Sequence, residues 1–197
     1  RVSRRVRCMS GSISAPKTIE HRLIRTGPST ADQGQALLDQ LRAAHTIALT
    51  THIRPDHDGC GAGLALLRWL RGLGKDARFL LPSTPPFGIT GMLLADEPVH
   101  IFDADLHGDF LRDADVVVVV DVGLLYRLGS LEATLRARVT PMIVLDHHLE
   151  IEPVFSEHWV HPQLSSTGEV VTSLFELANI VPSPDMAGPL FMAISED

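Results

Sequence analysis

An uninterrupted run of five valines, Val116–Val120, constrains the fold of this chain more than any other feature. β-Branched residues favour strands, and the run shows no alternation between apolar and polar positions. A strand with one face in water would alternate, so this strand is predicted to be buried on both faces, as in a parallel sheet covered by helices. A second continuous apolar strand is predicted at residues 142–145.

Segments with helical spacing alternate with the predicted strands. Leu64, Leu67 and Leu70 follow the apolar run 46–50 at helical intervals. Further helices are predicted at 36–44, 106–112, 131–138, 167–178 and 185–193. This alternation predicts an α/β fold with an open, mainly parallel sheet and helices on both faces. The 197 residues suffice for one such domain. We expect residues 1–28 to be a flexible lead-in and residues 29–197 to form the domain.

The residues that follow the first predicted strand carry metal-binding chemistry. Positions 51–59 read T-H-I-R-P-D-H-D-G and place His52, Asp56 and Asp58 where the strand gives way to a helix. Imidazole and carboxylate ligands without a thiolate suit Mn²⁺ or Mg²⁺ better than a structural zinc ion. This loop alone therefore predicts a hydrated divalent metal site.

Two other predicted strands end in similar residues. Asp121 follows the valine run, and Asp146, His147 and His148 follow the strand at 142–145. In open parallel sheets, ligands bind beyond the carboxyl ends of the strands. We therefore expect all three strand ends to converge on one edge of the sheet.

Composition restricts the partners of the protein. A formal charge of −7 without a long basic stripe argues against binding to long duplex DNA. A small phosphorylated substrate stays compatible, because bound divalent cations can supply positive charge. No apolar run approaches the roughly 20 residues that span a bilayer. Two cysteines are too few for a disulfide framework, which favours a cytoplasmic location.

Taken in order, the pattern H-x-x-P-D-x-D, a strand ending in D-x-G and a strand ending in D-H-H resembles the DHH phosphoesterase superfamily. The match covers roughly residues 30–197, and positions 52–58 look most like the branch of nanoRNases and pAp phosphatases, which is related to RecJ exonucleases. The resemblance implies hydrolysis of short oligoribonucleotides, linear dinucleotides or 3′-phosphoadenosine 5′-phosphate (pAp). It also implies a catalytic domain that is truncated at its C-terminal end and lacks the family's C-terminal substrate domain.

The same resemblance implies two Mn²⁺ ions, for which Mg²⁺ is a substitute. Asp121 would bridge the ions and take part in catalysis. In the family's fourth motif, which appears here at 193–197, Glu196 departs from the usual Ser or Thr. The implied metal ligands are His52, Asp56, Asp58, Asp121, His147 and Asp197.

Other residues have expected roles around the metals. Asp146 is expected to accept a hydrogen bond from a ligand histidine and fix its tautomer. His148 is a candidate catalytic residue that would contact the scissile phosphate. Arg127, Ser166 and Thr167 are candidate substrate contacts, the last two because a helix N-terminus can bind phosphate. An ordinary surface arginine and an ordinary N-cap are the alternatives that stay open.

Two other functions are compatible with the sequence. An inorganic pyrophosphatase or exopolyphosphatase on the same scaffold ranks second, because its motif prefers Asn where Arg54 stands. A non-catalytic nucleotide-binding domain would be favoured by missing metal ligands, whereas the expected ones are present. The expected partner is a small nucleotide or short oligonucleotide rather than a membrane. The oligomeric state stays open, with a homodimer among the options.

Overall fold

The structure is a computed structural model, which describes residues 24–25, 27–94 and 97–195. The strands in the described part of the chain are β1 (Ile24–Arg25), β2 (Thr46–Thr50), β3 (Asp76–Leu81), β4 (Val99–Ile101), β5 (Val116–Val120), β6 (Met142–Asp146), β7 (Glu150–Ile151) and β8 (Glu157–Val160). Six of them form one sheet in the order β4-β3-β2-β5-β6-β8, and every neighbouring pair is parallel. The predicted open parallel sheet is therefore confirmed. Strands β1 and β7 pair antiparallel in a separate ribbon.

The helices of the described residues connect these strands. They are α1 (Ala31–Ala43), α2 (His57–Gly72), α3 (Phe87–Thr90), α4 (Ala104–Asp113), α5 (Glu132–Arg136), α6 (Thr167–Leu177) and α7 (Pro184–Ser195). A 3-10 helix, Leu125–Leu131, precedes α5. The sequence predicted one helix over 131–138 and missed this 3-10 segment.

The valine strand shows why the central sheet is buried on both faces. Val116, Val118 and Val120 belong to the apolar cluster that includes residues of α1, α2, α6 and α7. Val117 and Val119 belong to a second cluster that includes residues of α4, α5 and the 3-10 helix. All five side chains are at most 3% exposed. Burying one such side chain stabilises the fold by about 1.5–3 kcal/mol relative to exposing it.

The order of the strands creates a crevice at one edge of the sheet. From β2 the chain moves through β3 and β4 to one side, and it then returns to β5, β6 and β8 on the other side. The direction of winding changes between β2 and β5, which are hydrogen-bonded neighbours. A crevice forms beyond the carboxyl ends of strands at such a switch point, and ligands bind there.

Helix α2 begins earlier than the sequence pattern predicted. The prediction placed its start at Gly61, whereas the helix begins at His57 because Asp56 caps it and accepts a hydrogen bond from the Gly59 amide. Asp58 therefore lies in the first turn of the helix. Gly61 permits close contact with α7, since a Cβ atom there would collide with the carbonyl oxygen of Pro189.

The N-terminal part of the domain partly follows the sequence prediction. Thr30 caps α1 in a capping box with Gln33, as its position predicted. Ala36 was predicted on the apolar face of this helix but is exposed. Within the predicted lead-in, residues 24–25 form β1, whereas residues 1–23 and 26 lie outside the described residues. No helix in the described ranges has both the length and the hydrophobicity needed to cross a bilayer.

Candidate metal centre

The three strand ends converge on a small cavity at the carboxyl edge of the sheet, as the sequence predicted. The cavity has a volume of about 170 Å³. The loop after β2, the residue after β5 and the residues after β6 all reach it. Its lining consists of His52, Asp56, Asp58, Asp121, Arg127, His147 and His148.

His52 is the centre of the first donor group. Its Nε2 atom lies 3.3 Å from Asp56 Oδ2 and 3.2 Å from Asp121 Oδ2. Its Nδ1 atom donates to the carbonyl oxygen of Ile53 at 2.9 Å, which directs Nε2 toward the carboxylates. Burial disfavours the charged imidazole, but hydrogen bonds to Asp121 and Asp56 outweigh burial and raise the pKa of His52 to about 10. Burial also opposes ionisation of Asp56, yet His52 and the Gly59 amide lower its pKa to about 2.

His147 belongs to a second donor group on the other side of Asp121. Its Nε2 atom lies 3.8 Å from Asp58 Oδ2 and 3.7 Å from Asp121 Oδ1. The two oxygens of Asp121 therefore face different imidazoles, with Oδ2 toward His52 and Oδ1 toward His147. A carboxylate in this position can bridge two cations.

The backbone of Asp121 adopts a conformation that few residues tolerate. Its φ angle is 63°, in the left-handed region where Asp and Asn are more common than other non-glycine residues. The Asp121 amide still donates to the Leu145 carbonyl at 2.9 Å, and the Thr167 hydroxyl donates to Asp121 Oδ1 at 2.9 Å. These bonds hold the carboxylate at the end of β5.

Asp58 is held by the N-terminus of α6. Its Oδ2 atom accepts a hydrogen bond from the Thr167 amide at 2.7 Å, and its Oδ1 atom accepts one from the Gly168 amide at 2.8 Å. The Asp58 side chain is only 4% exposed. Free amides at a helix N-terminus favour a negative charge, and here Asp58 provides that charge.

The structure gives Ser166 and Thr167 definite partners inside the protein. Ser166 caps α6 by accepting a hydrogen bond from the Glu169 amide at 3.1 Å. Thr167 bonds to Asp58 and Asp121, and both Ser166 and Thr167 are fully buried. These bonds orient the two carboxylates of the candidate centre. Direct contact of Ser166 and Thr167 with substrate stays a prediction.

Asp146 was predicted to accept a hydrogen bond from a ligand histidine, and this prediction is wrong in its choice of histidine. Asp146 Oδ1 lies 2.6 Å from His148 Nδ1 and also accepts the His148 amide at 3.0 Å. The carboxylate bonds to the backbone two residues on, as in an Asx turn, and this brings the second histidine rather than the first against it. His147 instead faces Asp58 and Asp121.

His148 is suited to contact an anion at the rim of the cavity. Its side chain is about half exposed, at 48%. The hydrogen bond to Asp146 raises the pKa of His148, and this effect exceeds the opposing effects of burial and of nearby Arg127. The imidazolium form is therefore favoured to a higher pH than in an ordinary histidine.

The substitution Asp146→Asn is expected to lower the pKa of His148. The amide keeps the shape and the acceptor oxygen but loses the charge that stabilises the imidazolium. NMR titration of the histidine ring protons in metal-free protein measures this change. Asp105→Asn, an exposed position in α4, is the matched control and should leave the titration of His148 as it is. An unchanged titration in the Asp146 variant would contradict the assignment.

The donor set fits hard or borderline divalent cations. Two groups of donors in the described residues have ligand atoms within 4.8 Å of one another. One is His52, Asp56 and Asp121, and the other is Asp121, Asp146, His147 and His148. Oxygen and imidazole ligands suit Mn²⁺ and Mg²⁺. Cys60 is no competing thiolate, because burial and nearby carboxylates raise the pKa of its thiol. Asp197 lies outside the described residues.

Arg127 lies in the wall of the cavity on the 3-10 helix. Its carbonyl oxygen accepts a hydrogen bond from the Ile53 amide at 2.7 Å, and its amide donates to the Leu124 carbonyl at 3.0 Å. These bonds join the loop after β2 to the segment after β5. Arg127 is thus located at the candidate site, and its role as a substrate contact stays a prediction.

The structure adds two residues that the sequence did not single out as parts of this site. Thr51 is fully buried at the end of β2, and its hydroxyl has no hydrogen-bond partner in the described structure. Gly59 packs against it so closely that a Cβ atom would collide with Thr51 Oγ1 and lie 3.1 Å from Asp121 Oδ2. Their positions directly beside the predicted ligands were the only signal in the sequence.

The fold and the site together define a parallel α/β domain whose strand ends form a candidate metal centre of carboxylates and histidines. A model of the N-terminal domain of the DHH family matches residues 46–194, and the chain belongs to this family.

Solved structures share this fold. An exopolyphosphatase-related protein from Bacteroides fragilis matches with a TM-score of 0.76 and 22% identity, covering 83% of this chain and 49% of that one. RecJ from Thermus thermophilus in complex with Mn²⁺ matches with a TM-score of 0.44 and 19% identity, covering 81% and 22%. An exonuclease RecJ bound to manganese matches with a TM-score of 0.44 and 18% identity, covering 81% and 40%. This chain therefore spans about half or less of the length of these proteins.

Proposed function

We propose that this protein is a phosphoesterase that hydrolyses short oligoribonucleotides, linear dinucleotides or pAp with two divalent metal ions, Mn²⁺ or Mg²⁺. The observation that carries the proposal is the position of Asp121. One carboxylate faces His52 at 3.2 Å through one oxygen and His147 at 3.7 Å through the other. Membership of the DHH family supports the same class of enzyme.

The residues of the site divide into two metal-binding groups and a group that contacts phosphate. When bound, the ions supply an activated water nucleophile and positive charge near the phosphoryl oxygens. The residues that would hold them are His52, Asp56 and Asp121 on one side, and Asp58, Asp121 and His147 on the other.

The remaining charged residues act on the substrate or on each other. His148, held by Asp146, donates a hydrogen bond to a phosphoryl oxygen and offsets the charge that develops there. Arg127 binds a phosphate at the rim of the same cavity. The amides of α6 keep Asp58 ionised and oriented without themselves meeting the substrate.

Hydrolysis assays with purified protein test the proposal. pAp, a linear diadenylate and inorganic pyrophosphate are compared side by side with Mn²⁺, with Mg²⁺ and with a chelator. We expect slow, Mn²⁺-dependent cleavage of the nucleotides that the chelator abolishes. Phosphate release from pyrophosphate alone would overturn the choice of substrate in favour of a pyrophosphatase. Nucleotide binding without cleavage of any substrate would favour a non-catalytic domain.

A further inference from the structure

A larger cavity adjoins the candidate metal centre. Its volume is about 480 Å³, which lies in the range of sites that bind small molecules. Arg127 and His148 line both cavities and therefore form the wall between them. A substrate whose phosphate meets these two residues has its next group directed into the larger cavity.

We propose that this larger cavity binds the nucleoside of the substrate, with the base against Tyr126 and Leu149. The inference rests on the proposed function, because it assigns a recognition site to the same substrate. The side chains of Tyr126 and Leu149 both line the cavity and are 61% and 52% exposed. An exposed aromatic ring beside an exposed leucine is a surface on which a flat base can stack.

The chemistry of the lining favours a nucleoside over a chain of phosphates. Val122 and Leu124 add further apolar surface to that of Tyr126 and Leu149. Arg127 is the only lysine or arginine in the lining of this cavity, and the Glu150 carboxylate would repel an anion. A polyphosphate would need several cations in this space, whereas a neutral aromatic group would need none.

The wall that carries Tyr126 and Arg127 is anchored by a buried carboxylate. Glu152 is 4% exposed and accepts a hydrogen bond from the Leu125 amide at 2.9 Å. Arg136 pairs with the same carboxylate at 2.8 Å. The 3-10 segment is therefore fixed from behind, which makes the cavity a preformed feature.

The floor of the cavity depends on a glycine. The Gly123 carbonyl accepts a hydrogen bond from the Glu152 amide at 2.9 Å. A Cβ atom at Gly123 would lie 2.5 Å from the Glu150 carbonyl oxygen and 2.8 Å from Ile151 Cγ1. Only a residue without a side chain permits strand β7 to approach the loop after β5 this closely, and these two segments form opposite sides of the cavity.

Tyr126 provides a direct test, because it is the only tyrosine of the chain. Protein labelled with ¹³C-tyrosine gives the ring signals of this residue alone. The labelled protein is titrated with adenosine 5′-monophosphate and with ribose 5-phosphate in the presence of Mg²⁺, which is diamagnetic. We expect the nucleotide to shift the Tyr126 signals and the sugar phosphate to leave them nearly unchanged. No shift with the nucleotide, or equal shifts with both compounds, would overturn the inference.

Variants of the cavity sharpen the test. Leu149→Ala should weaken binding of adenosine 5′-monophosphate, read from the Tyr126 signals, by about 5- to 100-fold, the range expected for loss of packing against a base. Val181→Ala, an exposed apolar position outside the cavity lining, is the matched control and should bind like the parent protein. Equal affinities in the Leu149 variant and the parent would contradict the assignment.

Binding and hydrolysis are measured separately, so the two proposals can fail independently. A base-dependent shift of Tyr126 in a protein that cleaves none of the phosphoesters supports the nucleoside site and refutes the proposed phosphoesterase. Cleavage of pAp without a base-dependent shift refutes the nucleoside site and leaves the phosphoesterase standing.

Discussion

The substitution Asp121→Asn is expected to remove metal binding and hydrolysis together while the protein stays folded. Asparagine has the shape of aspartate and also tolerates the left-handed φ of 63° at this position. It lacks the charge that both donor groups share. Replacing residues that only support metal ligands already weakens metal binding by about 10- to 100-fold, so loss of a bridging ligand should exceed about 100-fold.

Calorimetric titration with Mn²⁺ measures this loss, and thermal unfolding provides a second measurement. At a Mn²⁺ concentration 100 times the Kd of the parent protein, binding should stabilise the parent by about 2.7 kcal/mol. The variant should gain less than about 0.5 kcal/mol at the same concentration. Asp105→Asn, at an exposed position of α4, serves as the control and should behave like the parent. Similar Mn²⁺ affinity in the Asp121 variant would refute the bridging assignment.

The substitution Asp58→Asn is expected to destabilise the protein even without metal. The Asp58 carboxylate accepts the Thr167 and Gly168 amides at 2.7 and 2.8 Å. Asparagine offers one acceptor oxygen and turns an NH₂ group toward the other amide. One buried N–H group at the start of α6 would lose its acceptor, and the helix would lose a favourable charge. We expect a loss of about 2 kcal/mol or more in the free energy of unfolding.

Urea denaturation in the presence of a chelator tests this expectation without any contribution from metal. Asp32→Asn is the matched control, because Asp32 lies in the first turn of α1 but is exposed. It should cost less than about 1 kcal/mol, the usual size of an exposed charge effect at a helix N-terminus. If the two variants lose the same stability, the two amide bonds to Asp58 do not stabilise the fold as the structure indicates.

The two predictions differ because the two carboxylates are held differently. Asp121 bonds to side chains, the hydroxyl of Thr167 and the imidazole of His52. Asp58 bonds to backbone amides that cannot rotate away. Loss of Asp121 should therefore be read mainly in metal binding, and loss of Asp58 in stability as well.

The sequence by itself determined the sheet and the location of the centre. Five valines without alternation could only be a strand with two apolar faces, and the structure places Val117 and Val118 in opposite clusters. The polar residues after each strand then had to meet, because parallel strands bring their carboxyl ends to one edge. His52, Asp121 and His147 could be brought together by this reasoning alone.

Only the tertiary structure decided which atoms bond within the centre. The N-terminus of α6, predicted as a phosphate site, holds Asp58, which precedes Thr167 by 109 residues. Asp146 bonds to His148 rather than to His147, and the cavity beside Arg127 has no counterpart in any sequence motif. Periodicity and spacing record which face of an element is buried. They do not record side-chain rotamers or the distance between segments remote in the chain, and those two quantities select hydrogen-bond partners and shape cavities.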